Sequence, residues 1–229
     1  MKILASDFDD TLYLADDLES TRKNIEAIRK FVAQGNSFCI ITGRNFIDLK
    51  LMIQKFKIPY TYLICEDGAQ IFNHIDYCIE TIRLSKGEIA EVVEMLKQEG
   101  CDYYLDDGYN ETEYLEDVVK IVVREKDELE KRRIVDLIRE KVDIHIYASR
   151  YHVNIIHKSV NKRNALKSLF NLEKLDYHDL YVIGDNDNDY EMLSEFSGGV
   201  ISKHHKVLDS LNKKNYDTLC DYIEELMKN

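Results

Sequence analysis

The sequence predicts an α/β protein: a doubly wound parallel sheet whose chain is interrupted by an inserted α+β segment. Three observations predict it. Short apolar runs alternate with helical periodicities over residues 1–80, and the same alternation resumes over residues 153–229. Between them, residues 81–152 follow a different order: helix, two strands, helix, two strands. Polar clusters fall directly after three of the apolar runs, which is where an open parallel sheet binds its ligands.

The elements follow in order. Residues 2–6 read as a buried strand because Ile3-Leu4-Ala5 is continuously apolar. Residues 20–34 read as a helix with Ile25, Ile28, Phe31 and Val32 on one face and Gly35 as its stop. Residues 37–41 form a second strand. Residues 45–56 form a helix with Phe46, Leu49, Ile53 and Phe56 along one side, followed by a turn holding Pro59, the one proline. Residues 62–65 are a third strand, ended by the turn signal Glu66-Asp67-Gly68. In the insert, residues 86–98 are helical up to Gly100, 103–105 a short strand, and 106–113 polar with a turn at Gly108. Residues 117–123 are a β-branched strand and 127–141 a charged amphipathic helix; 143–147 and 151–156 pair as a hairpin. The closing part reads as helix 161–170, strand 179–183, helix 189–196, a short strand at 198–201 and a helix over 216–227.

Composition narrows the function. Of 229 residues 45% are hydrophobic, enough for a packed core. The net charge of -12 argues against a nucleic-acid or anionic-membrane binder, though not against a small anion held by a metal and a few local cations. No apolar stretch reaches membrane-spanning length, and the run after Lys2 is too short for a signal peptide, so no membrane association is expected. Cys39, Cys65, Cys78, Cys101 and Cys220 are odd in number and scattered, without a C-x-x-C, which reads as reduced thiols in a cytoplasmic protein.

Four polar signals carry chemistry. Asp7 and Asp9, two apart at the end of the first strand, project to the same side. Asp7 would be the nucleophile, forming an aspartyl-phosphate, and Asp9 the acid to the leaving oxygen, then the base to water. Thr42-Gly43-Arg44 follows the second strand; Thr42 offers a hydroxyl and Gly43 an unobstructed N–H to phosphate oxygens. Arg44 reads equally as a substrate contact or a surface ion pair. Lys162 would set a positive charge against the transition state. Gly184-Asp185-Asn186-Asp187-Asn188-Asp189 follows the fourth core strand; Asp185, with Asn188 or Asp189, would complete an oxygen shell for Mg2+.

The order DFDDT, TGR, K, GDNDND resembles the haloacid dehalogenase-like (HAD) superfamily of Mg2+-dependent phosphohydrolases. The insert, and Ser159 to Leu166 after it, look like the Cof-type branch with a C2 cap on a Rossmann-like core. Glu66-Asp67-Gly68-Ala69 resembles that branch's Asn-Gly turn, with Asp67 replacing asparagine. The resemblance implies Mg2+ bound by Asp7, the carbonyl of Asp9 and Asp185. Asp10 stands where many relatives have glycine, and the segment 201–206 lacks the family's glycine-asparagine turn. The implied activity is phosphatase action on a small phosphorylated metabolite such as a sugar phosphate. Dehalogenation is disfavoured, because that branch lacks the second aspartate of the first motif. A sugar-phosphate mutase or phosphotransferase shares the motifs, and a non-catalytic metabolite sensor would share the fold; the oligomeric state stays open.

Plainer readings stand beside these. Asp185-x-Asp187-x-Asp189 is not a calcium loop, since Tyr190 and Phe196 occupy the positions that need glycine and glutamate. His204 and His205 between lysines read as a solvated loop. Tyr103, Tyr104 and Tyr109 either line a specificity pocket or pack the insert. Arg150, Tyr151 and His152 fall in a hairpin turn that either faces the site or only closes the hairpin.

Overall fold

The computed structural model describes residues 1–149 and 152–228; Arg150 and Tyr151 of the expected hairpin lie outside the described residues. The chain runs β1 (Ile3–Asp7), α1 (Leu18–Ala33), β2 (Ser37–Ile41), α2 (Phe46–Phe56), β3 (Tyr62–Cys65), β4 (Gln70–Asn73) and β5 (Cys78–Thr81). Next come α3 (Lys86–Gln98), β6 (Tyr103–Asp106), β7 (Lys120–Arg124), α4 (Glu128–Arg139), β8 (His145–Ala148) and β9 (His152–Ile156). It closes with α5 (Lys162–Glu173), β10 (Leu180–Gly184), α6 (Tyr190–Glu195), β11 (Ser197–Ile201), β12 (Lys214–Tyr216) and α7 (Leu219–Lys228).

The large sheet has the order β12-β11-β10-β1-β2-β3-β4-β5. The neighbours from β12 through β3 are all parallel. The chain steps outward in one direction from β1 to β3, and in the other from β10 to β12. The reversal lies between β1 and β10, where Ser6 pairs with Ile183, and this is the switch point at which parallel sheets open a crevice. The strands alternate faces. Leu4, Phe38, Ile40 and Leu63 pack against α1 and α7, while Ile3, Ala5, Cys39 and Ile41 pack against α5 and α6. Helices on both faces explain why these strands are apolar throughout.

Three strands lie outside the sequence expectation. β4 and β5 add to β3 as an antiparallel hairpin, so the sheet is parallel only on one side of β4. Asn73 builds that hairpin's turn, its Oδ1 accepting from the N–H groups of Ile75 and Tyr77. β12 takes Lys214–Tyr216, so the closing helix begins at Leu219 rather than at Tyr216.

The insert forms a second sheet, β6-β7-β9-β8, antiparallel throughout. Val92, Leu96, Ile134 and Ile138 from α3 and α4 cover one face of it, meeting Ile121, Val123, Val153 and Ile155. Registers fix what the other face carries: Tyr147 opposes Asn154, Asn154 opposes Val122, and Lys120 lies two residues before Val122. β9 corrects the expected boundary at 152/153. It returns between β7 and β8, burying Val153 and Ile155, so residues 153–156 belong to the small sheet. Among the described residues no helix is long and apolar enough to cross a membrane.

Glycine positions test this packing. A Cβ on Gly198 would lie 2.0 Å from the Val182 carbonyl oxygen, whereas one on Gly87 meets only Ser85 Oγ at 3.9 Å. Gly198→Ala is expected to cost ~1–3 kcal/mol as overpacking. Gly87→Ala, in helix α3, is expected to gain roughly 0.5–1 kcal/mol. Urea melts of both variants check this; equal midpoints would contradict it.

Candidate active site

The chain after β1 turns tightly. The N–H groups of Leu12 and Tyr13 both donate to the Phe8 carbonyl, at 3.0 and 2.7 Å. Phe8 is fully buried and stacks on Tyr13, so the flanking aspartates are pinned to the sheet's carboxyl edge. Asp10 takes a left-handed φ of 60°, a conformation that favours glycine and that aspartate tolerates. Thr11, also buried, donates to Asp185 Oδ1 at 2.6 Å and so ties the first motif to the fourth.

The fourth motif folds around Asp189. Its Oδ2 accepts from the N–H groups of Asp185 and Asn186 at 2.9 and 3.0 Å. A Cβ on Gly184 would lie 2.4 Å from Asp189 Cγ, so only glycine admits that carboxylate here. Lys162 arrives from α5, whose N-cap Asn161 accepts from Asn164 N–H at 2.8 Å. The helix start can come this close because Gly68 has no side chain: a Cβ there would lie 2.8 Å from the Asn161 carbonyl oxygen.

These constraints place the fully buried Lys162 ammonium 2.5 Å from Asp7 Oδ1 and 2.6 Å from Asp189 Oδ1. Asp7, Asp185 and Asp189 each offer an oxygen within 4.8 Å of the others. Burial pushes the Asp7 carboxyl well above the ordinary range against the pull of Lys162, and Asp189 and Asp185 push it the same way. Burial, then the Asp189 charge, raises Asp185 to about 7. Burial alone would lower the Lys162 ammonium; Asp189 and Asp7 outweigh it and hold it above its usual range. Three buried carboxylates against one ammonium leave a local excess of negative charge. An all-oxygen, hard donor set of this kind fits a small divalent cation.

Asp9 lies apart from the three. Its carboxylate takes a two-pronged contact from Arg44, Nε at 2.7 Å and Nη2 at 2.6 Å. The ion-pair reading of Arg44 is therefore realised, though with a predicted catalytic residue as partner. Thr42 is buried, and its hydroxyl accepts from Arg44 N–H at 3.2 Å. Asn188 donates to Asp67 Oδ1 at 3.1 Å.

Asp7, Asp9, Thr42, Gly43 and Arg44 floor a cavity of about 550 Å³, and Tyr147, His152 and Asn154 of the small sheet, with Ser149 just beyond β8, line it from the opposite side. His152 thus faces the site. Tyr109 instead packs against Phe46 and Phe72, and Tyr103 and Tyr104 line a separate cavity of about 670 Å³. His205 pairs with Asp187 and His204 with Asp209. Sequence reasoning passed over Lys120 and Tyr147, and named Thr11 and Asp67 only as members of motifs, without a contact to the site. One available signal was Lys120, a charged residue beside the β-branched run Ile121-Val122-Val123.

The chain matches the model of the haloacid dehalogenase-like hydrolases over residues 4–112 and 105–214. A Haemophilus influenzae protein named "Putative phosphatase" is 22% identical over 88% of this chain and 85% of its own length. Two solved structures share the fold. A haloacid dehalogenase-like hydrolase from Bacteroides thetaiotaomicron superposes with a TM-score of 0.81 at 15% identity, covering 98% of this chain and 99% of that one. The HAD subclass IIB sugar phosphatase BT4131 gives 0.79 at 17% identity, covering 100% and 98%. With its motifs gathered at one sheet edge, the chain belongs to the haloacid dehalogenase-like hydrolase family.

Proposed function

We propose that the protein is a Mg2+-dependent phosphatase that hydrolyses a small phosphorylated metabolite through an aspartyl-phosphate. The observation that carries this reading is the Asp7 carboxylate, fixed at the switch point against Lys162 and beside Asp185 and Asp189, on the floor of a cavity roofed by the small sheet. Related names point the same way: the H. influenzae relative is called a phosphatase and BT4131 a sugar phosphatase. A sugar phosphate suits the cavity's size and its neutral polar roof. The five thiols are free, as a cytoplasmic protein's would be.

Asp7 attacks phosphorus; its new O–P bond forms as the bond to the leaving oxygen breaks, and Asp9 gives that oxygen a proton. Asp9 then takes a proton from water, whose oxygen attacks the phosphorus and frees Asp7 with release of phosphate. To act, the Asp9 carboxyl must swing off Arg44, which frees the guanidinium for the substrate. The Thr42 hydroxyl and Gly43 N–H hold phosphate oxygens, and Lys162 offsets the developing charge. Asp7, Asp185, Asp189 and the Asp9 carbonyl would hold Mg2+, which supplies Lewis-acid stabilisation and lets the anions coexist with phosphate. The small sheet acts as the cap, keeping bulk water out.

Phosphate release from a panel of phosphorylated metabolites and p-nitrophenyl phosphate, with Mg2+ and with EDTA, tests the reading; no metal-dependent release from pure folded protein would overturn it. Asp7→Asn is expected to lower kcat by ~10³-fold or more, and Asp9→Asn by ~10²–10⁴-fold. An Asp7→Asn variant as active as wild type would refute the mechanism.

The raised carboxyls also set a pH dependence. Without metal, the folded state holds the Asp185 proton up to about 7, while the unfolded chain loses it in the ordinary carboxylate range. Between those pH values the folded state binds more protons, so its stability falls as pH rises. Cation binding needs the charged carboxylates, so its contribution grows over the same window. Thermal melts are expected to show a larger gain from Mg2+ at pH 8 than at pH 5; equal gains would exclude these carboxylates as the ligands.

A further inference from the structure

One buried charge cluster has no part in the mechanism above. Lys120, the first residue of β7, is buried and belongs to the small sheet. Its ammonium donates to the Gly43 carbonyl at 3.0 Å, lies 3.5 Å from Asp67 Oδ2, and pairs with Glu66. Asp67 also accepts from the Tyr147 hydroxyl and from Asn188 Nδ2. The turn carrying these acids is held under strain: Glu66 and Asp67 have successive φ values of 53° and 57°, a left-handed conformation that side chains disfavour. It lies against the phosphate loop, with Glu66 N–H donating to the Arg44 carbonyl at 3.0 Å and Asp67 N–H to the Thr42 carbonyl at 2.9 Å. A Cβ on Gly43 would sit 2.9 Å from Asp67 Oδ1.

Asp67 therefore sets a carboxylate directly against the loop that receives phosphate. Burial would raise that carboxyl; Lys120, the Tyr147 hydroxyl, Lys162 and Asn188 outweigh it and hold it below its ordinary range, so the charge is present. An uncancelled negative charge there opposes an incoming phosphate. The Gly43 N–H has no protein acceptor among the described residues, and Gly43 lines the cavity. The next peptide is fixed on both sides, its carbonyl by Lys120 and its N–H by the Thr42 hydroxyl.

We propose that Lys120 is a positioning residue for phosphate binding, delivered by the cap: it cancels the charge of Asp67 and fixes the Gly43 peptide so that the Gly43 N–H is presented to the phosphate. The proposal rests on the phosphatase reading. It also makes the phosphate loop complete only when the cap sheet is seated.

The test uses the full chain with Mg2+, p-nitrophenyl phosphate as substrate and inorganic phosphate as competing ligand. Lys120→Met is expected to raise KM and the phosphate inhibition constant by roughly tenfold or more, with a smaller change in kcat. Adding Asp67→Asn to that variant removes the charge Lys120 cancelled and should bring both constants back to within about threefold of wild type. An unchanged phosphate constant in Lys120→Met, or no recovery in the double variant, overturns the proposal; a residue that only props up the fold would lower the melting temperature without this reversal. Where Lys120→Met does not fold, Asp67→Asn alone decides. It keeps an acceptor for Tyr147 or Lys120 and should tighten inorganic phosphate severalfold by calorimetry; unchanged or weaker binding overturns the proposal. Calorimetry needs no turnover, so an inactive wild type would refute the phosphatase reading while leaving this test standing.

Discussion

The structure is organised around a charge imbalance. Three carboxylates, Asp7, Asp185 and Asp189, converge in a buried site around one ammonium, Lys162. In a low-dielectric interior, like charges this close repel by several kcal/mol unless neutralised, so the site is costly by construction. Much of the surrounding fold serves to hold it in place. The Phe8 turn pins one strand end, Thr11 bridges the first and fourth motifs, and the Asp185 and Asn186 amides clamp Asp189. Gly68 and Gly184 remove the side chains that would keep helix start and carboxylate apart. The remaining excess negative charge is of the kind a divalent cation satisfies.

A similar economy of charge recurs at the joint between the two sheets. Glu66, Asp67 and Lys120 are buried together, with two acids facing one ammonium. Burial raises Glu66 to about 7 despite the pull of Lys120, so that acid carries part of the imbalance as a proton. The first cluster gathers groups from β1, the loop after β10 and α5 of the core; this second one joins core to insert. Its position ties the small sheet to the Thr42-Gly43-Arg44 loop through the Lys120 ammonium and the Gly43 carbonyl. The small sheet's helix-free face supplies the rest of the roof. The polar residues there are Tyr147, His152 and Asn154, with Ser149 just beyond β8.

The Asp9–Arg44 contact differs in kind from these buried clusters. A bidentate guanidinium pair is geometrically strong, yet both partners are partly exposed, and water screens an exposed pair. The contact can therefore open at small cost, whereas the buried pair Lys162–Asp7 cannot. The two aspartates of one motif are thus divided by burial into a fixed group and a movable one.

Most of the core and the gathering of its motifs was legible in the sequence because three of the motifs sit directly after apolar runs. Strand ends in a parallel sheet converge by topology, so Asp7, Thr42 and Asp185 needed no long-range information to be placed together. Lys162 was legible by its spacing after the insert. The hairpin β4–β5 and strand β12 were not, because short edge strands carry little periodicity and are fixed by the neighbour they pair with. The boundary at 152/153 failed for the same reason: β9 reads as a strand either way, and only its pairing with β7 and β8 decides its sheet. Arg44's partner, Asn188's orientation and the burial of Lys120 were likewise undetermined, since each depends on where another segment comes to rest. The sequence alone therefore determined the alternation of the parallel core and the placing of its polar motifs at strand ends, through local periodicity and position after strands. The tertiary structure alone decided which charges face one another across the cap and core, because those contacts join residues far apart in the chain and depend on packing that no local pattern records.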